Sequence, residues 1–260
     1  MVGITPLHKD HFFVLAVARS GSTWLQQTLD AHPDVTCLFE PSNTRFNRIL
    51  QRAEWIWDAE GAMSQAGGVE ERLMDCLPLR FNYGVDRLDL LLRATPTRLA
   101  GAKITWLQLF RHLDPTTFFI RYRDSRCILL GRSSLVDAMC SWMVAKRTRL
   151  WNSESNWHMN LMSFSVSPER AERYIVRFLL HQELLRTYVR TMAIRHVEVT
   201  YEELMGETES ALSHIAAFLG IDEINDHSRL RRLIPRSYRE FIINYDELVE
   251  LENAARKRNQ

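Results

Sequence analysis

The chain has little of what most readily betrays a function. Four cysteines are scattered through 260 residues (Cys37, Cys76, Cys127, Cys140), with neither a CxxC pair nor zinc-finger spacing. Two of them sit in apolar runs, where a thiol behaves as a small hydrophobe, so all four read as reduced and structural. Charge of either sign is not in excess: 33 Lys and Arg face 32 Asp and Glu. Nothing global therefore points to nucleic acid or to an acidic membrane surface, and any basic patch must be local. Long apolar runs are missing too. The longest, such as His11–Ala18 and Cys127–Leu130, are far too short to form a membrane span. No basic-then-apolar leader opens the chain, which makes a cytoplasmic protein the expectation. No repeat or low-complexity segment stands out. What remains is a chain of ordinary hydrophobic and charged content, able to bury one substantial core, and residues 1–260 read as one domain.

The apolar run Phe12–Ala18, bounded by a charged turn and by Arg19-Ser20-Gly21, reads as a buried parallel strand. Thr23–Ala31 carries apolar residues at helical spacing before His32-Pro33 stops it. Val35–Phe39, Leu99–Ile104, Cys127–Leu130 and His196–Thr200 are further strands. Helices are expected over Leu135–Thr148, Glu169–Ala193, Thr208–Phe218 and Asp246–Arg258, with shorter pieces at Glu54–Trp57 and Glu70–Leu77. Trp151–Pro168 is polar and rich in Trp, Ser and Asn, which reads as a loop over a site. Strands alternating with helices predict an α/β three-layer sandwich, a central parallel sheet with helices on both faces. Ligands bind such sheets at the carboxyl ends of the strands, where Arg19–Thr23 falls.

A strand, a tight Gly/Ser turn and a helix make an anion cradle, because successive backbone N–H groups and the positive helix end face one point. Laid over the Walker pattern G-x-x-x-x-G-K-[ST], the stretch Ala16–Thr23 keeps the second glycine (Gly21) and the final hydroxyl (Thr23). It has Ala16 for the first glycine and Ser22 for the lysine. That lysine is the group that reaches the β- and γ-phosphates of a triphosphate. A loop without it can still hold a shorter anion, and Arg19 supplies a fixed charge with planar donor geometry. The alternative is that Ser-Gly-Ser is simply a turn.

Arg19-Ser20-Gly21-Ser22-Thr23-Trp24-Leu25, running on through Leu29-Asp30-Ala31-His32-Pro33, resembles the 5′-phosphosulfate loop of sulfotransferases that use 3′-phosphoadenosine 5′-phosphosulfate (PAPS). The cytosolic branch of that family has Lys where this chain has Arg19; the bacterial branch, which includes nodulation-factor and other carbohydrate sulfotransferases, is more similar. Gly101-Ala102-Lys103-Ile104 resembles that branch's Gly-Phe-Lys-Leu strand. Arg132–Trp151, with Ser141-Trp142, resembles its 3′-phosphate strand and helix. Val199–Leu204, Phe218-Leu219-Gly220 and Ile243–Leu248 resemble its closing blocks. Residues 46–98 match nothing in the family.

The resemblance implies a P-loop-like fold, PAPS as donor, 3′,5′-diphosphoadenosine (PAP) as product, and sulfuryl transfer without a metal. It implies that Arg19, Ser20, Gly21, Ser22, Thr23 and Trp24 hold the 5′-phosphosulfate, with Arg19 stabilising the leaving diphosphate. Arg132 and Ser141 are carried over as 3′-phosphate ligands, and Tyr201, Arg236 and Ser237 as further donor contacts. The family often has two adjacent arginines before the serine; this chain has Gly131-Arg132 instead, so Arg132 as a strand-end surface charge stays open. The cytosolic branch takes its base from a Lys-Thr-His block, whereas this chain reads Lys103-Ile104-Thr105 and lacks that histidine. The bacterial branch places a Glu just after the second strand, which is Glu40 here. A carboxylate beside the apolar Phe39 at a strand end is a candidate general base, and His112 is the fallback. Lys103 is placed to neutralise the transferring sulfuryl, or else is an ordinary strand-end lysine.

Two rival classes remain at this stage: a small-molecule kinase with a degenerate P-loop, and a non-catalytic nucleotide-binding module. The acceptor is a small molecule or a glycan on family grounds, offering a hydroxyl or an amine, with residues 46–98 and 151–168 shaping its site. The family is often dimeric, which leaves a homodimer open.

Overall fold

In the computed structural model, residues 10–40, 83–148, 163–225 and 237–258 are described. The expected segments Glu54–Trp57 and Glu70–Leu77 lie outside them, as does most of Trp151–Pro168. Strand β1 (Asp10–Ala16) leads through a short loop into α1 (Ser22–Asp30) and back to β2 (Val35–Phe39). Then come α2 (Tyr83–Ala94) and β3 (Leu99–Thr105). A helical turn at Trp106–Gln108 runs on as a π-helical turn, Leu109–Leu113. Next are α3 (Pro115–Tyr122), β4 (Arg126–Gly131), α4 (Leu135–Thr148) and α5 (Pro168–Thr191). The chain continues with β5 (His196–Thr200), α6 (Tyr201–Gly206) and α7 (Thr208–Leu219). A 3-10 turn (Tyr238–Glu240) and α8 (Tyr245–Arg258) close it.

The five strands form one parallel sheet in the order β2-β3-β1-β4-β5. This is the central sheet expected from the alternation of strand and helix, with the strand at His196–Thr200 on one edge. Period-2 alternation along β1 divides the core. Phe13, Leu15 and Val17 pack with Leu88 and Leu92 of α2, Phe118 of α3 and Leu185 of α5. Phe12, Val14 and Ala16 pack with Leu25 and Leu29 of α1 and with Leu212, Ile215 and Leu219 of α7. Since β1 is buried on both faces, it reads as a continuous apolar run rather than as an alternating one. A third cluster joins α4, α5 and α8 through Leu135, Met139, Ile175, Phe241 and Leu248.

Register brings the carboxyl ends of the strands together. Ala16 pairs with Thr105 and with Leu130, Phe39 with Lys103, and Gly131 with Thr200. The connection leaving β1 goes one way, to β2, and the one leaving β4 goes the other way, to β5. The strand order therefore reverses between β1 and β4, where open α/β sheets bind ligands. Arg19 and Arg132 leave the sheet at that crevice.

The N-terminus of α4 is capped from far away. Glu252 of α8, which is buried, accepts hydrogen bonds from Leu135 N (3.1 Å) and Val136 N (2.8 Å), two of the donors a helix start leaves unpaired. Arg256 braces that carboxylate at 2.7 Å and reaches Ser133 O at 2.5 Å. The C-terminal helix thus fixes the helix that carries Ser141.

Candidate active site

The loop after β1 is shaped by its backbone. Arg19 (φ 65°) and Gly21 (φ 79°) both take left-handed conformations. Gly21 is required twice over: a Cβ there would lie 2.5 Å from Cδ2 of Tyr201, and its φ disfavours any side chain. The Ser20 hydroxyl turns back to donate to Val17 O at 2.8 Å, and Ser22 is buried in the first turn of α1. Arg19 and Thr23 are partly exposed, whereas Ser20 and Ser22 between them are buried. Trp24 packs against the core cluster on the α1 face.

Arg19 reaches across the crevice. Its Nε donates to Ser141 Oγ of α4 at 2.9 Å, a bond spanning 122 residues of sequence. Arg132, which follows β4, donates from a terminal nitrogen to Arg19 O at 2.7 Å. Burial pushes the Arg19 guanidinium below its ordinary value, and Arg132 adds to the effect. Arg132 is not a loose surface charge: it is 8% exposed. Its guanidinium lies 4.2 Å from the centre of the Tyr201 ring, and its Nε is 3.4 Å from Glu202. Tyr201 is thus held between the glycine of the first loop and the arginine of the second.

No role was expected for three further groups of this assembly, although Glu202 falls within the Val199–Leu204 block. Gln182 of α5 accepts from Arg132 N at 2.6 Å. Glu202 accepts from Ser133 N (2.8 Å) and Ser134 N (3.2 Å). Burial pushes the Tyr238 phenol above the ordinary tyrosine value, and the charges of Arg132 and Arg19 oppose that shift. Burial among basic residues was the only clue open to inspection, and it needs the fold to be known. Ser237 caps the 3-10 turn, its hydroxyl oxygen accepting from Arg239 N at 3.3 Å, and Arg236 lies outside the described residues. Arg239 pairs with Asp246 on the surface.

On the β3 side, Lys103 is 2% exposed. Its Nζ lies 2.6 Å from Glu40 Oε1, 3.1 Å from Thr23 Oγ1 and 3.9 Å from the centre of the Phe39 ring. Burial pushes Lys103 below its usual range and Glu40 opposes that shift. The surroundings of Glu40 therefore differ from the apolar pocket that Phe39 leads one to expect: the carboxylate is paired with a buried ammonium. Glu40 also has φ 44°, so two of the site's charged residues sit in backbone conformations that cost energy unless neighbours enforce them. Thr105, where the cytosolic branch has histidine, is tied by its N–H (2.8 Å) and hydroxyl (3.1 Å) to Gln108 Oε1. His112 is exposed on the π-helical turn, packed with α2 and α3 on the opposite face of the sheet from Thr23.

The site thus joins the loop after β1, two arginines with the Ser141 hydroxyl, and a lysine–glutamate pair. It can hold an anion with two separated acidic groups and present a carboxylate beside one of them. Among the described residues no group of His, Cys, Asp and Glu could hold a metal ion, and no helix is long and apolar enough to cross a membrane.

Comparison with known proteins bears on the same assembly. A model described as the Sulfotransferase family matches residues 11–226. No curated protein matches the chain by sequence. Among solved structures, the sulfotransferase domain from the curacin biosynthetic pathway is similar at 17% identity, with 96% of this chain and 90% of that one covered and a TM-score of 0.51. The sulfotransferase domain of the Synechococcus PCC 7002 olefin synthase shares 21% identity over 94% and 96% of the two chains, with a TM-score of 0.49. A sulfotransferase from Alicyclobacillus acidocaldarius shares 14% identity over 95% of each chain, with a TM-score of 0.47.

Proposed function

The chain belongs to the sulfotransferase family, and from that premise we propose that it transfers a sulfuryl group from PAPS to a hydroxyl, or an amine, of a small-molecule or carbohydrate acceptor. The observation that carries this reading is the bond from Arg19 to Ser141. It brings the loop assigned to the 5′-phosphosulfate into direct contact with the helix assigned to the 3′-phosphate.

The residues fit such a donor. The backbone N–H groups of Arg19–Thr23 meet the 5′-phosphate, with glycine at position 21 adding no side chain of its own there. Arg19 faces the oxygen that bridges phosphorus and sulfur, where negative charge grows as that bond breaks. Arg132 and Ser141 take the 3′-phosphate. Ser22, at the Walker lysine position, is buried against α1, so no lysine from this loop reaches a third phosphate. Glu40 takes the proton of the acceptor hydroxyl while the acceptor oxygen bonds to sulfur, and PAP leaves with the electron pair of the broken S–O bond. Lys103 holds the Glu40 carboxylate and the Thr23 hydroxyl at fixed separation, which keeps acceptor and donor sides in line.

The test is a thermal-shift comparison of PAP with ATP–Mg²⁺, followed by labelled-sulfate transfer from PAPS across a panel of alcohols, sugars and amines. Stabilisation by PAP and transfer to one acceptor class are expected. Stabilisation by ATP–Mg²⁺ alone would sink the reading.

A further inference from the structure

Helix α4 starts at the crevice with its positive end already occupied from inside the protein. Glu202 accepts from Ser133 N and Ser134 N, Glu252 from Leu135 N and Val136 N, and Ser134 Oγ from Asp137 N at 3.2 Å. A helix start is ordinarily a ready anion site, but these donors are bound to side chains of the chain itself. What α4 brings to the crevice is therefore its flank, where Ser141 accepts from Arg19 at 2.9 Å.

Such a contribution depends on where the helix stands. The apolar side of α4 packs through Leu135, Met139 and Val144. Apolar contact is non-directional, so it resists small slides along the helix axis only weakly. The directional bonds come from α8. Glu252 is buried, and Arg256 holds its Oε1 through Nε (3.0 Å) and a terminal nitrogen (2.7 Å). One turn before Ser141, Asp137 accepts from the Tyr245 hydroxyl at 2.8 Å. The two ends of α8 are anchored in turn on the α5 side. Asn244 bonds both the N–H and the carbonyl of Val166, at 3.0 and 2.9 Å, and Arg258 pairs with Glu172 at 2.6 Å.

The distances decide what a loosened start would do. At about 1.5 Å of rise per residue, Ser141 stands about 8 Å along the axis from Val136, and a regular helix carries a shift over that length undiminished. A slide of about an ångström would take the Arg19 bond beyond hydrogen-bonding range. We propose that Glu252 and Tyr245 of the C-terminal helix are positioning residues for donor binding, which fix the height of α4 and with it the reach of Ser141. This rests on the PAPS reading above.

Calorimetry of PAP on the wild type, Glu252→Gln and Tyr245→Phe, each with and without Ser141→Ala, tests it. Glu252→Gln puts an amide donor where two backbone N–H groups need acceptors, and is expected to weaken PAP about tenfold. Tyr245→Phe loses one hydroxyl and keeps the ring, and is expected to weaken PAP about threefold. It supplies the reading if Glu252→Gln does not fold. In the Ser141→Ala background both losses should shrink to less than about twofold, because the group they position is gone. Losses undiminished without Ser141 would show a structural role only, and unchanged PAP affinity in Tyr245→Phe and in folded Glu252→Gln would equally overturn the proposal. A wild type that does not bind PAP instead overturns the donor assignment on which it rests.

Discussion

Lys103 and Glu40 form an ion pair at 2.6 Å on adjacent strand ends, with the lysine almost wholly buried. The pair ties two jobs to one contact. Burial disfavours the Lys103 charge and Glu40 is the main group that restores it, while Glu40 is the candidate base. Glu40→Gln keeps the shape and removes the charge. It is expected to leave PAP affinity within about threefold while cutting transfer by about 10²-fold or more, the scale for loss of a general base. Because it leaves a buried ammonium without its counter-charge, a stability loss of about 3 kcal/mol should accompany it. Calorimetry, labelled-sulfate transfer and urea denaturation measure the three. Transfer at the wild-type rate would remove Glu40 from catalysis and favour a site in which the pair is only structural.

Arg19 is the residue through which the donor loop touches α4. Arg19→Ala removes a fixed cation and frees Ser141 and the Arg132 contact to Arg19 O only in part, since that contact is to backbone. The expected result is a loss of PAP affinity of about tenfold or more with little change in stability, read by calorimetry and melting. Arg19→Lys keeps the charge but not the fork and should fall between. Affinity unchanged in Arg19→Ala takes the residue out of the site.

Gly21 and Tyr201 are in contact in a way that leaves no room for a methyl group. Gly21→Ala meets two separate costs, a left-handed backbone worth about 1–2 kcal/mol and the clash with the ring. Tyr201→Ala removes the clash and not the backbone cost. Urea denaturation should therefore show the double variant less destabilised than the sum of the single changes, with Gly21→Ala alone costing about 2 kcal/mol or more. Simple additivity would mean that the ring moves aside freely.

How much of this could be read from residues alone follows from where each signal resides. The strand at Val35–Phe39 and the helix at Leu135–Thr148 fall on the bounds that periodicity gives, because each has a breaker or a capped start close by. The first strand is placed two residues earlier than the apolar run suggests, at Asp10–Ala16, since Val17 and Ala18 already belong to the turn. The helix α2 and the π-helical turn were not expected. The turn's Leu-Phe-Arg-His-Leu has no pattern that separates i+5 from i+4 bonding, and packing against α2 decides it. In the site, Arg19, Gly21, Lys103, Arg132 and Ser141 were legible because they lie in local blocks. Gln182 and Tyr238 were not, and Glu202 sits in the Val199–Leu204 block with nothing there to show its partner. Gln182 and Glu202 act by side-chain bonds to residues tens of positions away, and Tyr238 feels the charges of the distant Arg132 and Arg19; such contacts leave no trace in periodicity or spacing. The buried ammonium beside Glu40 belongs to the same class: it depends on the pairing of β2 with β3, register Phe39↔Lys103.

His181 of α5 is stacked on Trp106, with ring centroids 4.5 Å apart and planes at 23°. Burial, with Arg177 nearby, pushes its imidazole down to about 4. A histidine depressed in the fold is neutral there while its unfolded counterpart takes a proton below about 6.5. The fold therefore keeps its full stability above that pH, and loses it as pH falls from about 6.5 towards 4, where the unfolded state binds the extra proton. The ring is about half exposed, so solvent screening cuts the effect well below the full shift, to about 1 kcal/mol between pH 7 and pH 5. Urea denaturation at the two pH values should show the wild type losing about that much more stability than His181→Gln, whose side chain does not titrate. Equal losses in the two proteins would mean that His181 is protonated as readily in the fold as out of it, and that its stack on Trp106 shelters it from nothing.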